Sequence, residues 1–175
     1  MTRLSDLPLE KGVTIEPMQT FPVQKDLVTD VSWNYRVKEK IQKFTPRSPD
    51  HEDGTWKIDT MDTERVQEFR KCIECYICQD VCHVLREHKL FDEFIGPRFF
   101  TYTAGMEMQP LDTEKRTKEL KDEYGIGYCN ITKCCTTVCP EGILITDNAI
   151  IPLKERVADD FYDPLKKLIR VFKKE

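Results

Sequence analysis

No apolar run in these 175 residues approaches the roughly 20 that a helix needs to cross a bilayer, so any work at a membrane is done from its surface. Positive charge is not in excess either: 27 Lys and Arg stand against 31 Asp and Glu, a formal net charge of −4, which gives no case for nucleic acid as a partner. The opening residues do not read as a targeting segment. Cysteine is missing from residues 1–71, 83–128 and 140–175, because all eight fall in two windows of eleven residues, Cys72–Cys82 and Cys129–Cys139. Such crowding leaves too little room for eight thiols to pair locally, which sets aside a disulfide framework. With 39% hydrophobic and 33% charged residues the chain can bury one modest core, helped by whatever the cysteines hold.

The first window reads C-x2-C-x2-C-x3-C (Cys72, Cys75, Cys78, Cys82). The second reads C-x5-C-x3-C-P (Cys129, Cys135, Cys139, Pro140), with Cys134 as an extra thiol. Structural zinc would ask for a second C-x2-C or an H-x3-5-H, and the second window has neither. Buried inert thiols would not cluster this way. Three-residue steps keep successive thiolates within reach of one small inorganic core, the signature of iron–sulfur binding, and imply a reducing compartment. In the ferredoxin-type run three cysteines wrap one cluster and the fourth crosses to the other. By that rule Cys72, Cys75, Cys78 and Cys139 hold a [4Fe–4S] cluster, and Cys82, Cys129 and Cys135 hold a second. The second site is one ligand short. A full motif would place a cysteine at position 132, which is Thr132, and three thiolates favour a [3Fe–4S] centre. Cys134 is out of step with the rhythm, so its thiol is expected to point elsewhere.

Residues 1–60 carry five of the ten prolines and little periodicity, and are expected to form an extended segment anchored by Trp33, Tyr35 and Phe44, with 44–54 as loop. Residues 61–175 read as an all-α domain. A helix from Asp62, with Val66, Phe69 and Ile73 at helical spacing, should deliver the chain into Cys72. A second is expected over Leu85–Ile95, stopped by Gly96-Pro97. A solvated third covers Asp112–Tyr124, with Leu120 and Tyr124 inward and positive φ at Gly125 and Gly127. Ile143–Val157 should continue as helix or loop and helix. Pro164 should open a last, amphipathic helix to Glu175, whose basic face (Lys166, Lys167, Arg170, Lys173, Lys174) would suit anionic headgroups or a membrane anchor, or would simply cap the core.

The two windows, Thr132, and the segments PMQTFPVQKDLVTD (17–30), GPRF (96–99), PLDT (110–113) and ITDNAIIPLKERV (145–157) resemble the iron–sulfur subunit of succinate dehydrogenase or fumarate reductase, especially its actinobacterial kind. The resemblance covers almost the whole chain. It implies an α-helical ferredoxin domain with [4Fe–4S] and [3Fe–4S] clusters, placed electrically between an FAD flavoprotein subunit that interconverts succinate and fumarate and a membrane quinone. Membrane anchor subunits and a peripheral position on the cytoplasmic face of a bacterial plasma membrane follow from the same likeness. Its members also carry a plant-type [2Fe–2S] domain ahead of this region. There is no cysteine before Cys72, so residues 1–60 are expected to be the remnant linker from a domain on a missing part or another chain. Rival readings are the iron–sulfur subunit of another flavoprotein complex, such as a thiol-linked fumarate reductase, heterodisulfide reductase or glycolate oxidase, and a zinc-stabilised interaction module. The first kind usually has a cysteine where Thr132 stands.

Best-known members have Pro after the fourth cysteine with a Trp soon after it, and His after the first cysteine of the second window. His83, a stretch without Trp, and Asn130 occupy those places, so His83, Asn130 and Thr132 are the quinone-proximal candidates. His83 could donate a proton to a quinone or hydrogen-bond cluster sulfur or backbone. His51 and His88 read as surface residues. Arg86, Arg98 and Lys133 lie near the windows in sequence, where donors could raise a cluster's potential or be solvated.

Overall fold

Asp59 is where polar, proline-rich sequence gives way to an amphipathic stretch: its carboxylate accepts the Met61 N–H at 2.8 Å and caps the helix that follows. The computed structural model describes residues 4–164. Among them are an antiparallel hairpin, β1 (Val23–Lys25) and β2 (Val28–Thr29), with Val23 opposite Thr29, and eight α-helices. These are α1 (Ser32–Lys40), α2 (Thr60–Arg70), α3 (Ile77–Asp80), α4 (His83–Arg86), α5 (Pro97–Glu107), α6 (Thr117–Asp122), α7 (Cys134–Thr137) and α8 (Ile151–Phe161). The helix expected from Pro164 lies outside the described residues. The all-α expectation stands for the part after residue 60.

The central element is α5, which sequence reasoning missed. Gly96-Pro97 reads as a stop, but Pro97 occupies the first turn, where its missing N–H costs nothing, so the pair starts a helix. Gly96 has φ +83°, and a Cβ there would fall 2.0 Å from Gln79 Oε1. Only glycine lets α3 and α5 approach so closely. Phe99, Phe100, Thr101, Thr103 and Ala104 are all buried, against α2 on one side and a wide π-type turn (Ile145–Ile150) on the other. Each fully buried Phe is worth roughly 1.5–3 kcal/mol of transfer free energy.

The second expected helix is only α4. Lys89 adopts φ +54° and the chain turns through 87–95, although Phe94 and Ile95 are buried as anticipated. The third is shorter too. The Asp112 carboxylate binds the N–H groups of Thr45 and Glu114, holding 112–116 as a loop, and α6 begins at Thr117. It is not a solvated helix: Leu120 is fully buried and α6 packs on α8. Gly125 has φ +66° as expected; Gly127 does not. Residues 143–157 resolve into the π-type turn and α8, the loop-and-helix alternative.

Residues 32–40 correct the expectation of an extended segment. The Asp30 carboxylate catches the Ser32 N–H at 2.8 Å and α1 follows, burying Asn34 and Val37, with Ile41 beyond. The polar Asn34 at a core position hid the periodicity. Trp33 does anchor, against Phe21, Phe91 and Phe99, and its Nε1–H donates to Phe91 O at 3.1 Å. Tyr35 and Phe44 are exposed instead. Further on, Arg116 is wholly buried beside Glu107 and Asp112 and donates to the carbonyls of Gln42 and Lys43, fastening the segment after α1 to the α5–α6 loop.

Candidate iron–sulfur centres

Both cysteine windows have the same backbone. Glu74 and Tyr76, two and four residues after Cys72, have φ of +56° and +58°. Ile131 and Lys133, two and four residues after Cys129, both have φ of +62°. A four-residue helix starts five residues after the first cysteine in each case, α3 at Ile77 and α7 at Cys134. Left-handed non-glycine residues cost roughly 1–2 kcal/mol each, so four in two loops mark a path bent for a purpose. The loops turn their cysteines inward, and α3 packs on α7. In this repeat Thr132 is to Cys129 as Cys75 is to Cys72, three residues on (132 − 129 = 75 − 72 = 3).

Cys72, Cys75, Cys78 and Cys139 line one largely apolar cavity, walled by Ile73, Tyr76, Arg98, Thr101, Pro140, Glu141, Ile143 and Ile145. Cys139 therefore leaves its own window to join the other three. Burial pushes the Cys78 thiol well up, and the neighbouring Cys135, Cys72 and Cys75 push it the same way. Neutral thiols or a compensating metal core suit such a place; free thiolates do not. Among the described residues no group of His, Cys, Asp or Glu is drawn together to grip a single metal ion. The four thiols instead surround a volume.

The remaining thiols form a second group. Burial raises Cys82 to about 11, with Cys134 and Cys129 adding to the shift. Cys135 is raised by burial and again by Cys134 and Cys129, while a Thr146 hydroxyl at 3.4 Å works against it. Lys154 Nζ donates to Cys129 O at 2.6 Å and holds α8 to this loop. Cys134 differs from expectation: it belongs to this neighbourhood, half-buried, with its Sγ 3.4 Å from Thr132 Oγ1. Asn130 and Thr132 are exposed on the same loop as Tyr128 (52% exposed) and Ile131. His83 is half-buried, its ring edge-on to His88 at 6.1 Å.

Of the three nearby cations, Arg98 lines the four-cysteine cavity. Arg86 bonds Gln19 and Glu87, and Lys133 pairs with Asp147 at 2.7 Å on the surface. Sequence reasoning missed Gln79, wholly buried next to Cys78. Its amide donates to Ile95 O (3.1 Å) and accepts from Arg98 N (3.4 Å), fixing α3 against α5. A Gln beside a cysteine gives no signal in sequence. Glu68 was missed as well; its carboxylate takes the Leu144 N–H at 2.7 Å and ties α2 to the chain beyond the second window.

Residues 68–143 match the family described as a 4Fe-4S dicluster domain. The chain is similar to one in the solved structure of the Mycobacterium smegmatis Sdh1 complex in the apo form, with 55% identity and a TM-score of 0.88, covering 94% of this chain and 69% of that one. It is 29% identical over 167 residues to a subunit of the CoM/CoB fumarate reductase of Methanothermobacter marburgensis, covering 92% of this chain and 32% of that protein. It is also 29% identical over 147 residues to the succinate dehydrogenase iron-sulfur subunit of Bacillus subtilis, covering 79% and 55%. The chain thus spans about a third to about half the length of these curated relatives.

Proposed function

Because the chain belongs to the iron–sulfur subunits of succinate dehydrogenase and fumarate reductase, we propose that it carries electrons between an FAD flavoprotein subunit and a membrane quinone. In this reading Cys72, Cys75, Cys78 and Cys139 hold a [4Fe–4S] centre, and Cys82, Cys129 and Cys135 hold a [3Fe–4S] centre. The observation that carries it is the cavity lined by three cysteines of one window and the last cysteine of the other. That cage fits a cubane: four soft donors, apolar walls and a buried Cys78 thiol whose burial favours ligation over free ionisation.

Such centres, when bound, supply one-electron steps that require no bond change in an organic substrate. The chain's residues do the rest. Pro140, Ile143 and Ile145 keep water from the first site. Thr146 hydrogen-bonds Cys135 and Thr136, and Lys154 fixes the Cys129 carbonyl, so two cysteines of the second set are tied to the chain beyond their window. Helix α3, which carries Cys78, packs on α7, which carries Cys135, and this keeps the two sites adjacent, as a relay requires. In this reading His83, Asn130 and Thr132 face the quinone, and the exposed Tyr128 and Ile131, on the loop that carries Asn130 and Thr132, supply the apolar surface that a quinone or anchor subunit needs. A [2Fe–2S] centre between the flavin and the first site completes the proposed relay, with the complex peripheral on the cytoplasmic face of the membrane.

The thiol-linked fumarate reductase reading draws support from the M. marburgensis match, and Thr132 at the place of a fourth thiol weighs against it. EPR of anaerobically purified protein, first oxidised and then reduced with dithionite, together with iron and sulfide quantitation, distinguishes the two. A three-iron signal in the oxidised state and a cubane signal in the reduced state are expected. Two cubanes would favour the rival, and zinc without sulfide would overturn both.

A further inference from the structure

Arg98 is an ionised side chain where ionised side chains are rarely tolerated. It is 5% exposed, in the first turn of α5. Its Nη2 donates to Glu74 Oε1 at 2.7 Å, and its guanidinium carbon lies 5.5 Å from the Tyr102 ring centroid and 5.9 Å from that of Phe99. Its Nε–H is shielded from solvent and has no acceptor in the protein. A buried donor without a partner is destabilising, so a missing acceptor is to be sought in whatever the side chain faces. Arg98 faces the cavity of Cys72, Cys75, Cys78 and Cys139.

Glu74 is the counterweight. It lies between Cys72 and Cys75, in one of the left-handed positions of the first window, and its Oε1 also accepts from Lys38 Nζ at 2.7 Å. Lys38 and Glu74 are partly open to water, at 38% and 35% exposure. Their charges are screened more than that of Arg98. The trio therefore carries a net positive charge beside the cavity, and its least screened member is the guanidinium, the cation that lines it; the half-buried Glu141 is the acid in the same lining.

We propose that Arg98 sets the reduction potential of the centre held by Cys72, Cys75, Cys78 and Cys139, raising it through its buried charge and spare N–H, with Glu74 moderating the effect. The inference rests on the proposed [4Fe–4S] assignment. In the step concerned one electron arrives from an external reductant, dithionite in the test below. The centre becomes one unit more negative, and no bond of the chain is made or broken. A neighbouring fixed positive charge stabilises that product over the oxidised state. If Arg98 served only to hold α5 to the first window, the potential would not follow its charge.

The test is a potentiometric titration with dithionite, monitored by the EPR of the reduced cubane, on the cluster-loaded chain and three variants. Arg98→Gln should lower the reduced-to-oxidised ratio at the wild-type midpoint by roughly tenfold, which for a one-electron couple is about 59 mV. Arg98→Lys should stay near wild type, and Glu74→Gln should move the midpoint upward. Should Arg98→Gln fail to load, Arg98→Met, an apolar side chain of similar length, reads the same downward shift. An unmoved midpoint in the loaded charge-removing variant, or a downward shift in Glu74→Gln, overturns the role of Arg98 while leaving the cluster assignment intact. Absence of any cubane signal from the wild-type chain overturns both.

Discussion

Replacing Arg116 with Met should be among the costliest single changes in this protein. Arg116 has no exposed surface; its Nε and Nη2 donate to Gln42 O and Lys43 O at 2.9 and 2.8 Å, and its backbone N–H donates to Glu107 Oε2 at 2.9 Å. Asp112 Oδ2 lies 2.8 Å from Nη2, an ion pair without hydrogen-bond alignment, and Glu107 Oε2 lies 3.8 Å from Nη1. Both carboxylates are buried. Methionine fills much of the volume but strands two acids and two carbonyls, with Arg156, 3.9 Å from Glu107, as the cation left nearby. Breaking a buried pair from one side costs about 3–5 kcal/mol. With a urea slope of about 2 kcal/mol/M, the unfolding midpoint should fall by roughly 2 M. Anaerobic urea titration of the cluster-loaded chain, followed by far-UV circular dichroism and by cluster absorbance, measures it. The pH dependence is a second check. Burial already pushes the Glu107 carboxyl up, against the Arg116 N–H and the charges of Arg156 and Arg116, and loss of the guanidinium pushes it further. A folded-state pKa above the unfolded one means stability falls as pH rises through that range and is regained as pH falls. The variant's deficit should therefore shrink from about pH 7 to about pH 5. A deficit below about 1 kcal/mol, or one that grows on acidification, would refute the reasoning.

Other expectations follow from the cysteine loops and the close backbone approaches. Cys139→Ala should abolish the cubane EPR signal, because its thiol lines the first site despite lying in the second window; loss of the three-iron signal alone would show that it serves the other centre. Thr132→Cys, at the place Cys75 holds in the other loop, should replace the three-iron signal of the oxidised protein with a four-iron centre of lower potential, and persistence of the three-iron signal would count against the repeat. At Gly125 (φ +66°) an added Cβ would fall 1.8 Å from the Glu93 carbonyl oxygen, whereas at Gly142 (φ +64°) it would meet nothing within 4 Å. Gly125→Ala should cost more than about 2 kcal/mol and Gly142→Ala only about 1. Equal losses in thermal melts would show that backbone conformation alone sets both.

Spacing alone proposes that Cys139 keeps company with Cys72, Cys75 and Cys78, since thiolates three residues apart need a common object, and the folded chain brings those four together. The helix leading to Cys72 was legible because its signals are local: an acidic first turn and Val66 and Phe69 one turn apart. What escaped depends on partners far along the chain. Gly96-Pro97 is equally a helix end and a helix start until the fit of Gly96 against Gln79 is known. Asn34 looks like a surface residue until its burial beside Gln79 is seen. Arg98 and Arg116 count as two solvated charges in any composition, yet both are buried, one beside four thiols and one between two acids.

The exchange of last cysteines between the windows bears on how the protein must be made. Synthesis runs from the N-terminus, and Cys139 follows Cys82 by 57 positions (139 − 82 = 57). On the proposed assignment, a nascent chain that has exposed the first window carries three thiols of an unfinished cage and a fourth that belongs to a site not yet begun. Neither cage can close until α5, α6 and α7 have brought the second window back onto the first. Iron delivered early would meet Cys82 in place of Cys139, the wrong fourth donor for the first cage on the proposed assignment. Delivery after folding would find both cages ready together, so a cell making this chain has reason to hold its cysteines reduced and metal-free until the last of them has emerged.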